Sequence, residues 1–228
     1  MKRTTNFFAV ILLATMTMFV AGCNKEKTES NNNADNPINY NTDDWVDLGL
    51  PSGLLWATRN VGATSPTDFG DYFAWGETAP KSSYGKDNLL YYNQTSDEWM
   101  KYNGTDGLTT LQADDDAAIA NYGGRTPMAY EWKELNENTT SEWVTENDVV
   151  GRRFTAENGK SIFIPAAGYR YGSQTYYAGE FAFYWTSSLN MNDPALAWYF
   201  NFDTEDVYWD NSYPRSNALN VRAVMDAQ

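Results

Sequence analysis

The apolar runs of this chain beyond its first two dozen residues are short, and almost every one carries an aromatic ring. "LLWATRNV", "DYFAWG", "RRFTA", "SIFIPA", "FAFYWTSS", "AWYFNF" and "NVRAV" are separated by segments rich in Gly, Pro, Asn and Asp. Runs of about four to eight residues bounded by turn residues read as strands and are too short for long amphipathic helices. The clearest hairpin is "GRRFTAENGKSIFIPA", where Asn158-Gly159 is expected to take the left-handed angles of a tight turn and Pro165 to end the second run. Two stretches read as helices. "ADDDAAIANYGG" offers Asp114 as N-cap, Asp115 and Asp116 at the positive end of the dipole, and Gly123 as a stop; "MAYEWKELNEN" is the other. Two short helices amid many strands predict an α+β domain with mixed, mainly antiparallel short strands.

The residue inventory limits the chemistry. With 0 His and 1 Cys, the chain alone can build no Ser-His-Asp triad, no Cys-His pair and no His-ligated zinc site. Ser52 also fails as a nucleophile elbow, because its setting is Gly-Leu-Pro-Ser-Gly and not Gly-x-Ser-x-Gly. Pro51-Ser52-Gly53 has the chemistry of a turn instead.

The single cysteine closes a leader. Residues 1–22 open with Lys2 and Arg3, continue through "FFAVILLATMTMFV" and end "AG" before Cys23. This resembles a bacterial lipoprotein signal with Cys23 as the acylated residue, which would attach the protein to a membrane through lipid without crossing it. Outer-membrane anchoring is the expected location, with exposure at the cell surface left open. Residues 23–43, polar and Asn-rich, read as a disordered tether with too little apolar surface to fold. Residues 44–228 then have the length of one domain, a size that buries roughly 70% of its unfolded surface. The formal net charge is −14 and becomes more negative once Lys2 and Arg3 leave with the leader. Such a surface repels phosphate backbones, so no nucleic-acid partner is expected.

"VDLGLPSGLLWATRNVGA", "GDYFAWGET", "DDDAA", "GGRTPMAYEWKEL", "FTAENGKSIFIPAAGYR", "YWTSS" and "NVRAV" follow one another in an order that resembles the Fibrobacter succinogenes major paralogous domain family across nearly all of residues 45–225. That resemblance implies a C-type lectin-like fold, also similar to formylglycine-generating enzymes, in a lipid-anchored or secreted envelope protein. It makes Leu48, Leu50, Leu54, Trp56 and Val61 core or strand positions and supplies no activity. The family usually has Thr after the Pro of "GGRTP", where this chain has Met128. The helix entered by Glu131 and Trp132 then lacks a hydroxyl cap unless Thr126 or water substitutes. Formylglycine-generating enzymes depend on active-site cysteines that this domain does not have.

Aromatic rings beside Asn and Asp suit sugars, whose C–H faces stack while their hydroxyls take hydrogen bonds. "YGKDNLLYYNQTSDEWMKYNGTDG" holds Tyr91, Tyr92, Trp99 and Tyr102, and "VYWDNSYPRS" holds Trp209, Asp210, Asn211 and Tyr213. Similar texture recurs in "YRYGSQTYYAGE". These stretches read as irregular, ligand-facing loops, with Trp209 and Tyr213 as the leading stacking residues; the competing reading packs the same rings into the core. Oxygen ligands for calcium would come from Asn190, Asn192, Asp193, Asp203, Glu205, Asp206, Asp210 and Asn211, although no EF-hand spacing occurs. No other cofactor and no catalytic residue is indicated. The leading reading is a non-catalytic envelope domain that recognises a glycan or protein. The alternatives are a carboxylate-dependent glycan hydrolase and a purely structural surface protein.

Overall fold

A computed structural model describes residues 42–227; the leader, Cys23 and most of the tether lie outside the described residues. Five small antiparallel sheets dominate. The first joins β1 (Trp45–Asp47), β2 (Leu54–Asn60) and the last strand, β15 (Arg222–Asp226), in the order β1-β2-β15. A second runs β10-β9-β14-β3, from β3 (Phe73–Ala74), β9 (Tyr169–Tyr171), β10 (Gln174–Tyr176) and β14 (Ala218–Leu219). A ribbon pairs β4 (Tyr92–Asn93) with β5 (Glu98–Trp99). The meander β6-β7-β8 comprises β6 (Thr139–Glu146), β7 (Val149–Ala156) and β8 (Ser161–Pro165). The sheet β11-β12-β13 comprises β11 (Ala182–Leu189), β12 (Leu196–Phe202) and β13 (Val207–Pro214).

The α+β, C-type lectin-like expectation is therefore corrected. Strand makes up 43% and helix 12%, no portion of the described chain is rich in helix, and the packing is closer to a β-sandwich. Both expected helices exist, but neither forms a layer. Helix α1 (Ala117–Asn121) has five residues and is capped by Asp116, which accepts from Ala118 N at 2.8 Å, because Asp114 is taken into a preceding 3-10 turn. Gly123, with φ +100°, follows its end. Helix α2 (Ala129–Glu137) has nine residues and leads almost directly into β6.

The sheet β11-β12-β13 has a core on each face, because alternate residues of β11 and β12 point opposite ways. Tyr184, Phe200 and Phe202 join Trp56, Trp132 and Phe154 on one side. Phe183, Trp185 and Tyr199 join Phe73, Trp75 and Tyr102 on the other. Burial on both faces explains why "FAFYWTSS" reads as a continuous apolar run. Trp132 is the pivot of the first core, stacked on Phe200 at 4.2 Å and meeting Trp56 edge-on at 4.8 Å. Buried Arg222 links β2 to β8 by donating to Ala57 O and Phe163 O at 3.1 and 3.0 Å.

The "LGLPSGLLW" motif behaves as structure. Leu48, Leu50, Leu54, Trp56 and Val61 are all buried, and Gly53 closes a turn onto Leu50 O at 2.9 Å. Ser52 latches that turn to α2, its hydroxyl and N–H donating to the Glu134 carboxylate at 2.6 and 2.8 Å. The expected β7–β8 hairpin forms, but only Gly159 of its tip is left-handed, at φ +79°. Asn158 instead donates its side-chain amide to Asp47 O at 3.1 Å. At α2 the missing hydroxyl cap is replaced from a distant strand. Ser188 Oγ accepts from Ala129 N at 3.3 Å and Glu131 accepts from Met128 N at 2.7 Å, while Thr126 is engaged by Asp116.

Candidate functional site, an aromatic face

The segment "GYRYGSQTYYAGEF", residues 168–181, supplies most of a connected ring surface. Strands β9 and β10 pair across a two-residue turn with Gly172 left-handed, and this register sets Tyr176 opposite Tyr169. The two rings stack at 5.4 Å with 22° between their planes. The chain then reverses at Tyr177, a non-glycine residue with φ +58°, whose carbonyl accepts from Glu180 N and Phe181 N at 3.1 and 3.0 Å. Gly168 makes the reversal possible: a Cβ there would sit 2.0 Å from Tyr176 O and 2.7 Å from Ala178 N. The loop is clamped at its base, Gly168 N donating to Phe181 O at 2.8 Å and Gly179 N to Ala166 O at 2.7 Å.

Behind these rings lies the second core. Tyr177 meets Phe181 edge-on at 5.5 Å, and Tyr169 meets Phe183 at 5.2 Å and Tyr213 at 5.3 Å. Phe183 stacks on Tyr199 at 5.8 Å and both are buried. Tyr176 and Tyr177 are 40% and 51% exposed, so rings open to solvent stand on rings that cannot move away. Burial, then the neighbouring Tyr169 hydroxyl, pushes the Tyr213 phenol above its ordinary value. The arrangement offers flat apolar faces with hydroxyl edges on a fixed backing.

Of the residues singled out in sequence, Tyr213 belongs to this face. Trp209, Asp210, Asn211 and Tyr213 lie on the regular strand β13 and not in an irregular loop. Trp209 and Tyr213, four residues apart, nevertheless pack on opposite sides of the sheet. A bulge causes this: Tyr199 pairs with Asn211 but Asn201 with Tyr208, so β13 carries one extra residue and its alternation inverts. Trp209 thus packs against the first core and Tyr213 against the second. Asp210 and Asn211 are exposed, with Asn211 donating to Asn201 Oδ1 at 3.3 Å.

The Tyr84–Gly107 stretch turns inward. Tyr102 is fully buried, and its hydroxyl, the Tyr91 hydroxyl and Lys101 Nζ each reach the buried Asp115 carboxylate at 2.5 Å. Burial pushes the Asp115 carboxyl up, but the hydrogen bonds from Lys101, Tyr102 and Tyr91 outweigh it and hold the group below the usual carboxylate range. Trp99 covers the guanidinium of buried Arg215 at 4.1 Å, with Trp75 at 4.8 Å, and Tyr92 lies beside Trp99 at 5.1 Å. Of the four candidate rings, Tyr102 is thus fully buried, and Tyr91, Tyr92 and Trp99 lie half-buried against the core.

Six of the eight proposed calcium ligands are divided between two turns, and the other two, Asp210 and Asn211, lie on β13. Asn190 and Asp193 cap the β11–β12 connection, where they accept from Asn192 N and Ala195 N at 3.0 Å. Asp203 caps the β12–β13 turn, accepting from Glu205 N and Asp206 N at 2.7 and 2.9 Å. The two turns sit at opposite ends of β12, roughly 20 Å apart at strand rise. Among the described residues no group of three or more His, Cys, Asp or Glu converges to hold a metal ion.

Sequence reasoning marks the texture of "YRYGSQTYYAGE" but singles out none of Tyr169, Tyr176 and Tyr177 and does not reach Phe181, although two adjacent tyrosines at the end of a Gly-Ser hairpin cannot both point into a core. A family model described as Domain of unknown function (DUF8237) matches residues 132–224, from within α2 into β15. No curated protein and no solved structure matches the chain.

Proposed function

We propose that this protein is a non-catalytic envelope domain, held at the outer membrane by lipid on Cys23, whose tyrosine face stacks on the sugar rings of a neutral glycan. The observation that carries the reading is the continuous array of Tyr176, Tyr169 and Tyr213 with Tyr177 and Phe181, open to solvent on one side and backed by buried Phe183 and Tyr199. Rings of this kind supply area at low entropic cost because few torsions must be fixed. The net charge of −14 disfavours acidic polysaccharides and leaves neutral ones. The order of motifs that resembles the Fibrobacter succinogenes paralogous family, together with the leader, supports the envelope location.

The test is affinity electrophoresis of the purified full chain through gels containing a soluble β-glucan, a mannan or a uronic-acid polymer. Retardation by a neutral polymer that Tyr176→Ala reduces is the expected result. Equal migration in all three gels would overturn the glycan reading. Lipid attachment is read separately, by incorporation of a palmitate analogue that Cys23→Ser abolishes; labelling that persists in that variant refutes the anchor.

A further inference from the structure

Strand β6 is the outer strand of its meander and has no neighbour on its far side among the described residues. Its pairing with β7 closes on Asn147 and Asp148, both at positive φ, the geometry of a type I′ two-residue hairpin. In that hairpin the closing pair Glu146 and Val149 is hydrogen bonded, and bonded pairs recur at every second residue. The even-numbered residues of β6 therefore bond to β7, while Thr139, Ser141, Trp143 and Thr145 turn their N–H and C=O groups outward. No backbone hydrogen bond among the described residues engages those outward groups. The edge is eight residues long, unbulged and free of proline, so three of the usual devices that protect an edge are missing: shortness, a bulge and proline.

Two further features point to an occupant. Glu142 and Glu146 are both paired to Arg153, at 3.1 and 2.8 Å, so the strand does not present a row of bare carboxylates to an incoming chain. Beyond its Thr139 end lies a groove of about 780 Å³, floored by the paired ends of β6 and β7 at Thr139, Thr140, Thr155 and Ala156. The groove is walled by Leu48 and Pro51, the end of α2 at Glu137 and Asn138, and the β7–β8 loop at Glu157. Glu137 shares only the exposed Lys133 at 3.6 Å, Glu157 has no ion-pair partner among the described residues, and α2 directs its negative end here. The groove suits a cation.

We propose that β6 is a docking edge for an extended, basic peptide segment of a partner protein, which adds as a further strand and places a Lys or Arg side chain in the groove beside Glu157. A second copy of this chain fits less well, because pairing would bring together two molecules of net charge −14. This surface is separate from the tyrosine face, so either proposal can fail alone.

The test uses the purified full chain and a fluorescent octapeptide of alternating Thr and Val flanked by Lys, followed by anisotropy. Binding is expected, and N-methylation of alternate peptide amides should weaken it at least about tenfold by removing strand hydrogen bonds. Thr145→Pro, which deletes an outward N–H and leaves the β6–β7 ladder intact, should weaken it similarly with an unchanged thermal midpoint. Glu157→Gln should weaken only the Lys-flanked peptide and not one flanked by Gln. Equal binding of the N-methylated peptide, or no binding at about millimolar peptide, would overturn the proposal whether or not the proline variant folds. A dimer of the chain alone that Thr145→Pro dissolves would assign the edge to a second copy and also overturn it.

Discussion

Tyr177 combines a strained backbone with an exposed ring, and two substitutions separate those properties. A side chain in the left-handed region costs about 1–2 kcal/mol, and glycine there costs almost nothing. The ring is half exposed, so its removal forfeits about 1 kcal/mol of burial, plus about 0.5 kcal/mol from the edge-on contact with Phe181. Tyr177→Ala loses the ring and keeps the strain, for a net loss of about 1.5 kcal/mol. Tyr177→Gly loses the same ring but relieves the strain, so it should be more stable than the alanine variant by about 1 kcal/mol, or roughly 2–4 °C in Tm for a domain of this size. Affinity for a neutral glycan should fall equally in both, by about 5- to 30-fold, because both remove the stacking face. Thermal unfolding and titration of the same two preparations decide the matter. If alanine proves as stable as glycine, the left-handed strain is not present; if affinity is unchanged in both, Tyr177 is no part of a binding surface.

Three other outcomes follow from the packing. Trp132→Ala removes the pivot of the first core and should cost about 3–5 kcal/mol in chemical unfolding, with no compensating gain. Met128→Thr restores a hydroxyl at the N-cap of α2 and should raise stability by about 0.5–1 kcal/mol, seen as a higher denaturation midpoint at unchanged slope. Asp115 has a folded pKa held below its unfolded value, so its contribution is complete above about pH 4 and is lost as pH falls further; Asp115→Asn should be less stable at neutral pH and show a flatter acid limb.

Much of the scaffold is legible because burial on both faces leaves continuous apolar runs. β2, β8, β11 and β12 coincide with runs that can be read directly, and both helices fall within the stretches read as helical, although α1 is capped by Asp116 and not by Asp114. The two long strands that escape notice share one property, an exposed edge. β6 is written "TTSEWVTE" and β13 "VYWDNSYP", and in each the solvent face carries Thr, Glu, Asp or Asn where a central strand would carry Val or Ile. β13 is further disguised by its bulge. No residue pattern in "VYWDNSYP" announces that Trp209 and Tyr213 face opposite sides, since the extra residue is defined only by its pairing with β12. Fold class is misread for a related reason: caps and stops give a helix its position but not its weight, and helices of five and nine residues are too short to form a layer.

The inward turn of Trp99 and Tyr102 has a cause that sequence texture hides. Arg215 is buried with no carboxylate in ion-pair range among the described residues, and burial pushes its pKa down to about 10. A guanidinium in that position must find electron-rich partners or leave the interior. It donates to Tyr102 O and Pro194 O at 3.1 and 2.9 Å and lies over Trp75, Trp99 and Tyr102, so the aromatic loop closes on a cation the chain itself supplies. Aromatic residues scattered among polar ones look alike whether they enclose an internal cation or wait for an external ligand. The distinction is made by one arginine more than a hundred residues away in sequence. On the tyrosine face no such cation lies over Tyr176, Tyr177 or Tyr213 among the cation–ring contacts of the described residues. That difference is why the same kind of composition builds an interior in one stretch and an open stacking surface in the other.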